Sequence, residues 1–146
     1  MTTGARVVAA ARCWIGTPYR HQASVRGAGA DCLGLVRGVW REVQGAEPEP
    51  VPAYTQDWAE PSGQEALFAA AQRWLVPKGL RDAAPGDVVL FRMRAKSVAK
   101  HLGIVSAVGA EPMIIHAYNG HGVVETALSM PWARRIVARF AFPTGE

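Results

Sequence analysis

The chain has 146 residues, the size of one domain over residues 1–146, and can bury a hydrophobic core without disulfide staples. Hydrophobic residues make up 49% of it and charged residues 19%, which excludes an intrinsically disordered chain. The net charge of +4 is modestly basic, and no apolar window approaches the ~18 residues of a membrane span.

Residues 4–15 read as a first helix, with Val7, Val8, Ala11 and Ile15 at helical spacing and Cys13 among small apolar neighbours in the core. Gly16-Thr17-Pro18-Tyr19 ends it, because proline disfavours helix in the residue before it. Residues 20–30 read as loop. A second helix runs from about 32 to 44, with an apolar stripe of Cys32, Leu35, Val36, Val39, Trp40 and Val43, and Gly45 stops it. Residues 45–62 form a proline-rich surface loop that Tyr54 and Trp58 can anchor. Ser62-Gly63-Gln64-Glu65 is a capping box for a third helix to about Leu75, with Leu67, Ala70, Ala71 and Trp74 on one side.

From Pro85 the pattern turns to β. Strands are expected at Asp87–Arg92, His101–Val108, Met113–Tyr118, Val123–Thr126 and Arg135–Phe142, with Asn119-Gly120 as a hairpin turn. In the last strand Ile136, Ala138, Phe140 and Phe142 alternate onto one face. Helices followed by antiparallel strands give an α+β fold.

The chemistry centres on Asp31-Cys32-Leu33-Gly34-Leu35-Val36, where a glycine-rich loop becomes an apolar helix. A thiol at a helix N-terminus feels the positive end of the backbone dipole, which favours thiolate. A cysteine nucleophile also needs a base, and a third group to orient the base. His101 opens an apolar strand and is a candidate base; it also reads as a half-exposed strand-end histidine. His116 lies mid-strand and reads either as the orienting group or as a core histidine bonded to backbone. His21 and His121 read as exposed. A tight hairpin pairing Val108 with Met113 sets His116 opposite Val105, on the face of His101 but about 13 Å along the strand. A bulge or strong twist must close that gap, or Asn119 orients His101 instead.

Five segments in order carry a resemblance: Gly16-Thr17-Pro18-Tyr19, Asp31-Cys32-Leu33-Gly34-Leu35-Val36, Pro85-Gly86-Asp87-Val88-Val89-Leu90-Phe91, His101-Leu102-Gly103-Ile104-Val105 and Ile115-His116-Ala117. The chain resembles the NlpC-type cell-wall endopeptidases, papain-like cysteine peptidases. The resemblance implies a papain-like α+β fold, Cys32 as nucleophile, His101 as general base and His116 as the orienting third member. It places Tyr19 near the oxyanion and Asp31 at the free amino end of a stem peptide. It implies hydrolysis of peptidoglycan stem peptides, commonly after γ-D-glutamate, with no metal or organic cofactor. Leu33 departs from the serine that many members carry there, and the segment from Gly45 to Ala84 matches the family poorly.

The Leu-Gly-Leu-Val variant and the single short domain resemble members carried on phage tails or gene-transfer-agent particles, so tail or baseplate proteins are expected partners. Met1–Arg6 lacks the pattern of a secretory signal, and two cysteines make no disulfide framework. Synthesis in the cytoplasm and action in the periplasm from such a particle is the expectation, with a cytoplasmic enzyme that recycles wall fragments as the other route. Two basic clusters, one of Arg92, Arg94, Lys96 and Lys100 and one of Arg134, Arg135 and Arg139, read as solvated surface or as attraction to an anionic polymer. No zinc-finger spacing or RNA-binding motif accompanies them, so nucleic acid is not an expected partner. The alternatives are a catalytically silent wall-binding tail component, an amidase or acyltransferase on the same scaffold, and a zinc site from Cys32, His101 and His116.

Overall fold

In the computed structural model, which describes residues 1–49, 66–93 and 99–144, helices precede an antiparallel sheet. Helix α1 (Thr3–Arg12) is followed by a small ribbon, β1 (Ser24–Val25) and β2 (Gly29–Ala30), inside the stretch expected to be loop. Helices α2 (Cys32–Val43) and α3 (Ala66–Trp74) come next. Then β3 (Val76–Lys78), β4 (Val88–Arg92), β5 (Ala99–Ala107), β6 (Met113–Tyr118) and β7 (Gly122–Ala127) lead to a one-turn helix, α4 (Met130–Ala133), and to β8 (Ile136–Ala141). The larger sheet has the order β3-β8-β4-β5-β6-β7, and every ladder in it is antiparallel. This is the α+β architecture expected from the sequence. The capping box at 62–65, the anchors Tyr54 and Trp58, and Arg94 and Lys96 lie outside the described residues.

Thr2 caps α1, its hydroxyl accepting the Ala5 N–H at 3.0 Å. The helix stops at Arg12, three residues earlier than the spacing predicts. Cys13 is therefore the exposed C-cap and not a core residue, and Ile15 is 45% exposed. Trp14 takes the buried place instead, because its indole reaches across to α2. A Cβ on Gly38 would fall 2.0 Å from that indole, so glycine is what lets α1 and α2 close. A Cβ on Gly34 would fall 1.8 Å from the Ala23 carbonyl oxygen, which is backbone and cannot swing away. Gly34→Ala is therefore expected to cost about 1–3 kcal/mol or more, read as a lower urea midpoint. An unchanged midpoint would mean that the Ala23 loop yields freely.

In α3, Leu67 and Ala71 are buried, but Trp74 is 37% exposed, turned outward where its Nε1–H donates to Glu49 at 2.9 Å. Edge strand β3 tolerates Pro77, since an edge needs no donor on its outer side. Asp87 of the Pro85-Gly86-Asp87 turn is buried and accepts Lys78 Nζ at 2.7 Å, Arg139 Nη1 at 3.0 Å and the Ala84 N–H at 2.8 Å. Arg139 is thus not solvated surface: it is 7% exposed and joins β8 to the turn before β4.

The sheet is apolar on both faces. One carries the main core, where Leu35 and Val39 of α2 meet Ile104, Ile115 and Phe140. The other carries a smaller cluster of Val89, Phe91, Val105 and Ile114. A register shift in the β4–β8 ladder, between Leu90 and Phe91, breaks the expected alternation of β8. Ile136 consequently packs on the smaller cluster, while Ala138, Phe140 and Phe142 stay with the main core.

Candidate active site

The segment Gly16–Tyr19 is tied down on two sides. Gly16 has φ 92°, which favours glycine, and its N–H donates to the Val123 carbonyl at 3.0 Å. The Val123 N–H returns to Thr17 at 2.9 Å, and the Ala30 N–H donates to Pro18 at 3.0 Å. Tyr19 is thereby set beside β2, which runs directly into Asp31 and Cys32.

Asp31 is the N-cap of α2 and 2% exposed. One carboxylate oxygen accepts the Gly34 N–H at 2.7 Å, and the other accepts the Gln22 N–H, also at 2.7 Å. Gln22 holds φ 66°, an uncommon conformation for a residue with a side chain. Asp31 therefore builds the helix start that presents Cys32.

Cys32 is the first residue of α2, 8% exposed, with Sγ 3.9 Å from the Lys100 carbonyl oxygen. Burial, and then the Asp31 carboxylate, push its thiol up to about 12, while backbone N–H groups of Leu102, Leu33 and Cys32 pull the other way. This opposes the thiolate expected from the helix dipole. The dipole is worth ~0.3–1 kcal/mol, whereas the rise in pKa corresponds to about 4 kcal/mol against the anion. The resting group is a neutral thiol.

His101 and His116 come together through the register of β5 and β6. Ala107 pairs with Met113, but a shift at Ser106 brings Val105 opposite Ile114 and Ile104 opposite Ile115. That register continues to put His116 opposite Gly103, not Val105, so only a diagonal step separates it from His101. His101 Nε2 lies 2.8 Å from His116 Nδ1, and His116 Nε2 lies 3.4 Å from Thr126 Oγ1 on β7. Asn119 sits in the turn after Tyr118, at the edge of the same cleft.

Both rings are buried, at 7% and 0% exposure. Burial, and then the neighbouring His116, hold His101 down to about 3. Burial, and then His121, hold His116 down to about 4. Both rings are therefore neutral at rest. His101 spends Nε2 on His116, so Nδ1 is the nitrogen left for the thiol. Nδ1 accepts a proton only if His101 carries its own on Nε2 and donates it to His116 Nδ1. His116 then carries its proton on Nε2, facing Thr126. Thr126 had no signal in the sequence beyond its place in the strand after the hairpin.

Tyr19, Asp31, Cys32, His101, Tyr118 and Trp132 line one cleft of about 170 Å³. Burial, and then repulsion from Cys32 and Asp31, push the Tyr19 phenol up to about 12, so it is a hydrogen-bond donor at neutral pH. A larger cavity of about 240 Å³ opens between α2 and α3, with Leu33, Val36 and Leu67 in its wall. It holds neither thiol nor histidine, so the chemistry belongs to the smaller cleft. Among the described residues no three of His, Cys, Asp and Glu are grouped to hold a metal ion, and no helix is long and apolar enough to cross a membrane.

A neutral thiol that shares a cleft with a neutral imidazole has no ion-pair partner to hold it as thiolate at rest. Alkylation of Cys32 by iodoacetamide is accordingly expected to climb only at alkaline pH, with no plateau of reactivity near neutrality. A plateau reached by about pH 7 would show a thiolate stabilised beyond an ordinary cysteine.

By fold, this is an α+β protein with helices ahead of a six-stranded antiparallel sheet. The NlpC/P60 family model matches residues 16–140, and the chain belongs to that family. It superposes on the NlpC/p60 domain of the peptidoglycan hydrolase SagA with a TM-score of 0.67 and 21% identity, over 95% of this chain and 98% of that one. An NlpC/P60 family protein from Bacillus cereus ATCC 10987 matches with a TM-score of 0.66 and 16% identity, over 98% of this chain and 40% of that one. NlpC1 from Trichomonas vaginalis matches with a TM-score of 0.59 and 21% identity, over 97% and 44%. The chain thus spans less than half the length of the latter two. No curated protein matches it. Family membership suggests peptidoglycan-hydrolase activity.

Proposed function

We propose that the protein is a cysteine endopeptidase that cleaves peptidoglycan stem peptides, with the γ-D-glutamyl–diaminopimelate bond as its target. The observation that carries this reading is a helix-start thiol and His101 lining one cleft, with His101 hydrogen-bonded to His116 behind it. His101 Nδ1 takes the Cys32 proton as sulfur attacks the carbonyl carbon. The developing oxyanion meets the Cys32 backbone N–H, which has no partner within the helix, and the Tyr19 hydroxyl. His116 and Thr126 hold the His101 tautomer. Protonated His101 then gives its proton to the leaving amine, and water, deprotonated by the same nitrogen, releases the acyl group from sulfur. Asp31 supplies negative potential where a free amino end of the stem would lie. Delivery by a phage tail or phage-like particle is part of the same proposal, supported by the Leu33-Gly34-Leu35-Val36 variant of the cysteine motif.

The test is mass spectrometry of fragments released from purified diaminopimelate-type wall by the reduced protein. New γ-glutamyl carboxyl ends and free diaminopimelate amino ends support the reading. Fragments that retain the bond but gain an amine or lipid point to acyl transfer, and no release at all points to a silent wall-binding component.

A further inference from the structure

The histidine pair does not face the helices. Along β5, His101, Gly103 and Val105 alternate onto the face of the smaller cluster, while Leu102 and Ile104 enter the main core. Along β6, His116 shares that face with Ile114, and Phe91 on β4 is the direct partner of His101. The α1 and α2 helices pack on the opposite face. Something else must keep water from the two imidazoles, since a sheet face this rich in apolar groups leaves neutral histidines open to protonation wherever it is bare.

That group is Trp132, on the one-turn helix α4. Its indole lies 5.4 Å from the His101 ring, tilted at 36°, and 5.0 Å from the His116 ring, edge-on at 88°. It also meets Phe91 at 5.3 Å and Tyr118 at 6.0 Å. One side chain thus spans β4, β5 and β6 directly over the two histidines. The short helix is held in place from outside: Arg135 donates from Nη1 to the Pro131 carbonyl at 2.9 Å and from Nε to the Met93 carbonyl at 3.3 Å. Pro131 stiffens its first turn.

We propose that Trp132 is a positioning residue that roofs the His101–His116 pair, fixing both ring orientations and keeping His101 desolvated, so that it sets the acid limit of activity. The inference rests on the cysteine–histidine reading of the cleft. Other groups also act on His101. Cys32 and Asp31 at the start of α2, Tyr19, Lys100 and Tyr118 line the same cleft, His116 is hydrogen-bonded to it, and His121 lies beyond Tyr118. None of these changes when Trp132 is replaced, and α4 brings no charge of its own over the rings.

The experiment compares the full chain with Trp132→Ala, Trp132→Leu and Trp132→Phe. Two readouts are taken: kcat/KM on purified wall against pH, and the proton NMR titration of the His101 and His116 ring C–H signals. Trp132→Ala is expected to move the acid limb, and the His101 titration with it, upward by about one pH unit or more toward the ordinary imidazole range. Trp132→Phe, which keeps an aromatic roof, should stay near the wild-type profile, and Trp132→Leu should fall between. If Trp132→Ala fails to fold, the Leu and Phe pair still carries the comparison. An unmoved His101 titration in a folded Ala or Leu variant overturns the proposal, as does a uniform loss of activity with the acid limb in place. The NMR titration needs no turnover, so failure of the peptidase reading shows separately as absence of hydrolysis with the histidine shift intact.

Discussion

Cys32→Ala is expected to lower release of stem-peptide fragments by about ten-thousand-fold or more, while Cys13→Ala leaves it within about twofold of wild type. The two thiols stand in opposite settings. Cys32 is buried at the first residue of α2, inside a cleft with His101. Cys13 is exposed at the end of α1, outside that cleft. In the proposed mechanism, removing Cys32 removes the acyl-enzyme route altogether, and what remains comes only from binding and from the oxyanion donors. The Cys13 variant is also the stability control. The side chain it removes is exposed, so a change at an ordinary surface site is expected, within about 0.5 kcal/mol. Equal loss of activity in both variants, at equal stability, would remove Cys32 from the mechanism and with it the proposed function.

The fold and the cleft were legible in the sequence to different depths. Chain order alone gave the helices, the later strands and the α+β class, because period and turn chemistry are local. The same locality explains what was missed. The end of α1 depends on Trp14 reaching Gly38, a contact between helices, so Cys13 and Ile15 were placed inside when they lie outside. The register of β5 against β6 depends on an irregularity at Ser106 that no residue type announces. Without it, the Ala107–Met113 pairing sets His116 opposite Ile104, on the face away from His101. The extra residue in the hairpin loop and the shift at Ser106 each move the pairing by one. Two such moves keep His116 on the same face and bring it within 2.8 Å of His101.

The electrostatic state of the cleft was the least legible part. A helix dipole can be read from sequence, but burial cannot, and here burial wins. It keeps the thiol protonated and both imidazoles neutral. Trp132 was invisible for a related reason. It sits on a four-residue helix with no periodicity, and its importance comes from the three strands beneath it. A neutral resting pair changes what the scaffold must provide. With no stored thiolate, the rate in the proposed mechanism depends on donors aimed at the oxyanion and on the His101 tautomer, which places the burden on Tyr19, His116 and Thr126.

Lowering the pH from about 7.5 to about 5 is expected to reduce folding stability by about 4 kcal/mol, through His101 and His116 together. In the unfolded chain each imidazole titrates near ~6.5. In the folded protein burial holds them to about 3 and about 4. The fold therefore favours the neutral rings. Their contribution is fully present above the unfolded value and drains away as pH falls below it toward the folded values. At pH 5 each unfolded imidazole has gained about 2 kcal/mol from protonation that the folded one has not. The carboxylates whose values are lowered, Glu47, Glu49 and Glu125, lose their contributions as pH falls through and below the ordinary carboxylate range, so this window isolates the histidines. The check is urea unfolding at both pH values for wild type, His101→Asn and His116→Asn. Each variant should lose about half of the pH dependence, whatever it does to stability at pH 7.5. A wild-type stability that is flat between the two pH values would mean that the pair is protonated in the folded state. His101 would then have no vacant nitrogen to receive the Cys32 proton.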